Sequence, residues 1–164
     1  GNPAPPAFHD AEIDVQTPVQ TDLSSLLVVS NHVPPEIVEI VRELRQDGVD
    51  VNVVGLERPD LSATPRRVTA ELVARHDAVL TIGKTVQYGL CMGRPVFCYD
   101  HFGGPGWINA DNVGRARYHN FSGRGFARRP RARLSRELRE GYQEARAFAV
   151  SLVDHHRGEF NYDG

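Results

Sequence analysis

Asp77-Ala78-Val79-Leu80-Thr81-Ile82-Gly83-Lys84-Thr85-Val86-Gln87-Tyr88-Gly89-Leu90-Cys91-Met92-Gly93-Arg94-Pro95-Val96-Phe97-Cys98-Tyr99 reads as strand, helix, strand. Ala78 to Ile82 is a continuous apolar run with one Thr, as a strand buried on both faces requires. Gly83 breaks it, a helix begins near Thr85 and ends at Gly93, and Pro95 to Tyr99 is apolar again. The same alternation lies upstream. Leu26 to Val29 predicts a first strand, and Pro34-Pro35 open a helix whose Ile37, Ile40, Val41 and Leu44 recur at helical spacing until Asp47-Gly48. Val49 to Val54 predicts a second strand, and Thr64-Pro65 is expected to cap a helix carrying Val68, Leu72 and Val73. Strands alternating with helices at this spacing define an α/β fold, an open, doubly wound, mainly parallel and Rossmann-like sheet.

Working outward, residues 1–22 are expected to be a linker or extended arm, because four prolines fall in the first twenty positions without periodicity. Residues 23–130 are the expected Rossmann-like domain. After Tyr99 a glycine-rich loop is expected, then a short helix over about 111–117. Residues 131–164 should form a long C-terminal helix that packs on the domain through Leu134, Leu138, Tyr142, Ala145, Ala149 and Leu152. At 164 residues the chain has room for one domain. It starts at Gly1 without an initiator Met, so it is expected to be a piece of a longer parent.

Charge divides along the chain. Residues 1–60 hold 11 acids and 3 bases, a balance of −8, and residues 61–164 hold 10 acids and 16 bases, a balance of +6. Nine arginines fall between Arg115 and Arg139 against Glu137 alone, so an anionic partner is expected at the C-terminal half. Polynucleotide binding is not expected: no recognition motif is present and the overall charge is −2. No apolar run reaches the ~20 residues of a membrane span. Cys91 and Cys98 lack paired metal spacing and sit in apolar surroundings, which suits reduced thiols and a cytoplasmic setting.

In open α/β sheets ligands bind beyond the carboxyl ends of the strands, so the turns there supply the candidate site. The first turn offers Asn31 and His32. The third offers Gly83, Lys84 and Thr85, where a helix amino end favours an anion and Lys84, the one lysine among 19 basic residues, adds a charge. A P-loop is excluded, since its glycine would fall at Ala78. The fourth offers His101, Gly103 and Gly104 in a loop read as a flap or cradle. Asn120 to Phe126 places Ser122 and Arg124 between glycines and aromatic rings, suited to a phosphate or planar base. Asp100, His101, Asp111 and His119 match no metal-ligand spacing, so no metal is expected.

These residues resemble the donor-binding half of GT-B glycosyltransferases, in which a strand, a polar turn, a short helix and a Gly-[Lys/Arg]-Pro-Val opening follow one another. The blocks over residues 82–90, 93–106 and 120–126 look like one bacterial, polysaccharide-type subgroup. The resemblance implies a C-terminal lobe binding a nucleotide-diphosphate sugar as substrate, with no further cofactor and with an N-terminal acceptor lobe supplied by the parent. By position, Gly83, Lys84, Thr85 and Gln87 would meet the diphosphate or sugar, and His101 to Gly104 the sugar side. Tyr88 stands where many such enzymes hold the ribose hydroxyls with Glu. The isolated chain would bind without turnover. Two alternatives remain: a non-catalytic nucleotide-sensing or partner-docking module, and a lobe of a sugar-nucleotide epimerase.

Overall fold

The computed structural model describes residues 22–163, with side-chain surroundings over 22–154; the expected N-terminal arm lies outside the described residues but for Asp22. Strand β1 (Ser25–Val29) leads to α1 (Pro35–Gln46), β2 (Asp50–Val54), a 3₁₀ turn (Pro59–Leu61) and α2 (Ala70–Ala74). Strand β3 (Ala78–Thr81), α3 (Lys84–Cys91), β4 (Val96–Asp100), β5 (Gly103–Trp107), α4 (Val113–Tyr118) and α5 (Arg131–Asp163) follow. The sheet order is β2-β1-β3-β4-β5. The first four strands are parallel neighbours and β5 is antiparallel to β4.

The apolar runs are buried because both faces are covered. Leu26, Leu27 and Val28 of β1 are fully inaccessible, and all residues of β3 and β4 are buried. Leu26, Val28, Leu80 and Phe97 face a layer with Ile37, Ile40, Val41 and Leu44 of α1 and Leu134, Leu138 and Tyr142 of α5. Leu27, Val79, Val96 and Cys98 face Leu72, Val86, Leu90, Ala116 and Phe121. Helix α5 joins both layers, since Ala145 packs in the first and Ala149 in the second. Burying each leucine of such a stripe stabilises the fold by roughly 1.5–3 kcal/mol.

Two expectations need correction. The second helix starts at Ala70, not after Thr64-Pro65, and Thr69 caps it by accepting from the Leu72 N–H at 3.1 Å. Proline pushes its predecessor toward extended backbone. Thr64 accordingly pairs with the end of β2, its N–H donating to Val53 O and its carbonyl accepting from Gly55 N. The second correction concerns 101–106, where only His101 and Phe102 form a turn and Gly103 to Trp107 is a strand. Its glycines answer to packing. A Cβ on Gly104 would lie 2.1 Å from Cys98 O, and one on Gly103 would lie 2.4 Å from the Ala127 carbonyl. Trp107 closes the strand, edge-on to Phe97 with centroids 5.3 Å apart, its Nε1 donating to Glu137 O at 3.0 Å.

Much of the arginine-rich charge is spent inside the fold. Arg128 makes a forked pair with Glu36 of α1, at 2.6 and 2.9 Å, and Tyr99 Oη donates to the same carboxylate at 2.7 Å. Arg131 meets Glu43 at 2.9 Å and Arg139 meets Asp47 at 2.5 Å. Arg129 pairs with Glu137 at 2.6 Å and donates to Gly104 O at 2.8 Å, which holds residue 129 against β5. The acidic first half and the basic second half are therefore partly each other's partners.

Candidate functional site

The chain runs from β1 through α1 to β2 on one side, then crosses back through α2 to β3 on the other side of β1. Such a reversal opens a crevice at the carboxyl ends of the two strands. It is present as a cleft of about 310 Å³ between Asn31 and His32 after β1 and Ile82 and Thr85 after β3, with Asp100 at the end of β4. Thr81 Oγ1 donates to Val29 O at 2.8 Å and ties the two strands together at this point.

The crevice continues on both sides. Toward β5, a compartment of about 380 Å³ shares Ile82 and Asp100 with it and adds His101, Phe102, Tyr118, His119, Ser122 and Arg124. Toward β2, one of about 340 Å³ shares Asn31 and His32 and adds Leu56, Glu57 and Arg58. The three make a trough along the carboxyl rim, each at the lower end of small-molecule site volumes. The exposed large hydrophobic residues among those described, Leu56, Phe102 and Tyr118, all line it.

Local sequence shapes the walls. Gly83 sits at φ +69° as the cap of α3, a left-handed conformation suited to glycine, and its N–H donates to Phe121 O at 2.8 Å. That bond fastens the α3 turn to the loop after α4. In that loop Asn120 and Phe121 also have positive φ, 56° and 55°, held by the burial of Phe121. Ser122 Oγ donates to His119 O at 2.7 Å, and Arg124 lies over the Phe102 ring at 4.8 Å. Arg115 donates to Gly125 O and lies over Phe126 at 4.4 Å.

Six of the eleven residues picked from sequence line the trough: Asn31, His32, Thr85, His101, Ser122 and Arg124. Gly83 sets the turn beneath it. Lys84 is exposed as the first residue of α3, and Gln87 lies one turn further on; neither lines the trough. Gly103 and Gly104 belong to β5, where the space beside each is occupied by neighbouring backbone.

Sequence reasoning left Asp100 outside the candidate set. It is the last residue of β4 and 8% exposed, with Oδ2 3.2 Å from His101 Nδ1. Its Oδ1 has no hydrogen-bond partner among the described residues. The signal available was a carboxylate ending an otherwise apolar strand. Beside it, the Cys98 thiol is pushed up to about 12, first by burial and then by the Asp100 charge, so it stays protonated and inert. Buried His76 is held below its ordinary range by desolvation and is structural: its Nδ1 donates to Leu72 O at 2.7 Å, leaving Nε2 to accept from Asn52 Nδ2 at 2.8 Å.

Fold and site together define a doubly wound α/β domain with a polar trough at its switch point. Searches against models of known families, curated proteins and solved structures find no match. Among the described residues no helix is long and apolar enough to cross a membrane.

Proposed function

We propose that this domain is the donor-binding lobe of a glycosyltransferase and holds a nucleotide-diphosphate sugar in the trough. The observation that supports this is the meeting, at the switch point, of polar residues from three separate turns: Asn31 and His32, Thr85, and Asp100 with His101. The amino end of α3 presents backbone N–H groups and the positive end of a helix dipole beside Thr85, a setting that favours a diphosphate. Arg124 supplies a guanidinium on the adjoining wall. As the bond between sugar and diphosphate breaks, these groups stabilise the charge that develops on the leaving group. Lys84 lies outside the walls but at the same helix end, where its flexible stem can add charge to a bound diphosphate. The acceptor and its base belong to a second lobe, which would cover Leu56, Phe102 and Tyr118.

Calorimetry of this chain against UDP-, GDP- and ADP-sugars and the free nucleotides tests the reading. The expected result is micromolar to millimolar binding that depends on the sugar. Binding of free nucleotide as tight as that of its sugar conjugates would make the domain a sensor instead. In the parent enzyme, Thr85→Ala and Lys84→Ala should each lower donor affinity or rate, and unchanged kinetics in both would remove the assignment.

A further inference from the structure

Asp100 and Ile82 are shared by the switch-point cleft and the compartment beside β5, and Asp100 is the polar one of the two, so whatever spans them passes beside its carboxylate. A carboxylate that deep is stable when donors surround it, and leaving an acceptor without one is unfavourable. Among the described residues the close group is His101 Nδ1, 3.2 Å from Oδ2, and Oδ1 has no hydrogen-bond partner. Two hydroxyls that border the same compartments are committed elsewhere: Thr81 Oγ1 donates to Val29 O and Ser122 Oγ to His119 O. The terminal torsion of an aspartate is soft, so the group can turn to present either oxygen to the trough.

A negative floor also fixes polarity: a phosphate would be repelled from it toward α3 and Arg124. One carboxylate beside one imidazole supplies too few oxygens for a hard divalent cation, which takes six or more ligands. A neutral group that donates, and that accepts from neighbours such as Asn31, answers both demands. Resting on the donor-lobe reading, we propose that Asp100 is the specificity residue of the trough, accepting hydrogen bonds from the vicinal hydroxyls of the bound ligand, while the ligand's phosphates lie toward α3 and Arg124.

The test compares the wild-type chain with Asp100→Asn, by calorimetry and thermal unfolding. The probes are UDP-glucose, UMP (ribose without sugar), glucose 1-phosphate (sugar without ribose) and inorganic pyrophosphate. The variant should bind UDP-glucose about ten- to a hundredfold more weakly, the range of a charge-assisted hydrogen bond, with pyrophosphate unchanged within twofold. A matching loss for UMP places ribose on Asp100, and one for glucose 1-phosphate places the sugar there. Equal binding of every probe by both chains overturns the proposal, as does an equal loss for pyrophosphate, which would make Asp100 architectural. If the wild type binds none of the four and no GDP- or ADP-sugar, the donor-lobe reading fails, and the melting temperature of the free chain decides for Asp100. A rise of about 2–4 °C in Asp100→Asn supports an acceptor kept for a ligand, and a fall overturns it.

Discussion

Along the seam between α1 and α5, Arg128, Arg131 and Arg139 reach Glu36, Glu43 and Asp47. At the rim, Arg124 and Arg115 lie over Phe102 and Phe126, and neither has a carboxylate partner among the described residues. The same residue type thus closes the fold in one region and leaves charge available in the other. Density of arginine in sequence does not locate an anion site. What locates it is which arginines the tertiary structure leaves without an acid, and where those stand relative to the switch point.

The comparison is broken most severely by undermining the seam's apolar base. Leu138→Ala removes a fully buried side chain of the α5 stripe and should cost about 2–5 kcal/mol in urea denaturation. A cost below 1 kcal/mol would mean that α5 is not docked as described.

The next effect is pH-dependent. The Arg128 guanidinium, against the opposing pull of partial burial and with help from Tyr99, holds the Glu36 carboxyl at about 2, below its ordinary 4.5. Because the folded value lies below the unfolded one, the folded chain binds fewer protons between the two. The stabilisation is complete above about pH 4.5 and is lost as pH falls toward 2. Glu36→Gln should therefore cost about 1–3 kcal/mol at pH 7, and the difference from wild type should shrink steadily below pH 4. A gap that stays constant from pH 7 to 3 would deny Glu36 this role.

Exchanging one arginine from each region sharpens the contrast. Arg139→Ala should cost roughly 0.2–1 kcal/mol, as exposed pairs do, and leave UDP-glucose affinity unchanged. Arg124→Ala should alter stability by less than about 0.5 kcal/mol while weakening UDP-glucose binding about tenfold. Matching titrations for the two variants would erase the distinction between seam and rim. The smallest stability effect belongs to Lys84→Ala, within about 0.5 kcal/mol of wild type, because the side chain is exposed and has no ion-pair partner among the described residues.

How far the molecule was legible can be argued from particular residues. The first four strands and the helices α1, α3 and α5 were readable because period and punctuation are local: Leu26 to Val29 reads as a run buried on both faces, and Gly48 and Gly93 mark helix ends. Strand β5 was not readable. Gly103-Gly104-Pro105-Gly106 has the composition of a loop, and it becomes a strand because it pairs with β4, with the backbones of Ala127 and Cys98 lying against Gly103 and Gly104 at distances that exclude a Cβ. In the site, Asn31, His32, Thr85 and His101 could be found by counting from strand ends. Asp100 could not be ranked above them, since its meaning lies in an acceptor left without a donor. Lys84 illustrates the opposite case, a residue conspicuous in composition that does not line the trough.

By itself, then, the sequence determined the order of elements through β4, the parallel pattern of the first four strands and the rim along which a ligand would lie, because short-range periodicity and right-handed crossovers leave few alternatives. Tertiary structure alone decided which arginines are neutralised and which carboxylate lines the floor. The forked pair that joins Glu36 to Arg128 spans 92 residues. No local pattern carries such a distance, and the pairing exists only once the sheet has brought α1 and the start of α5 onto the same face.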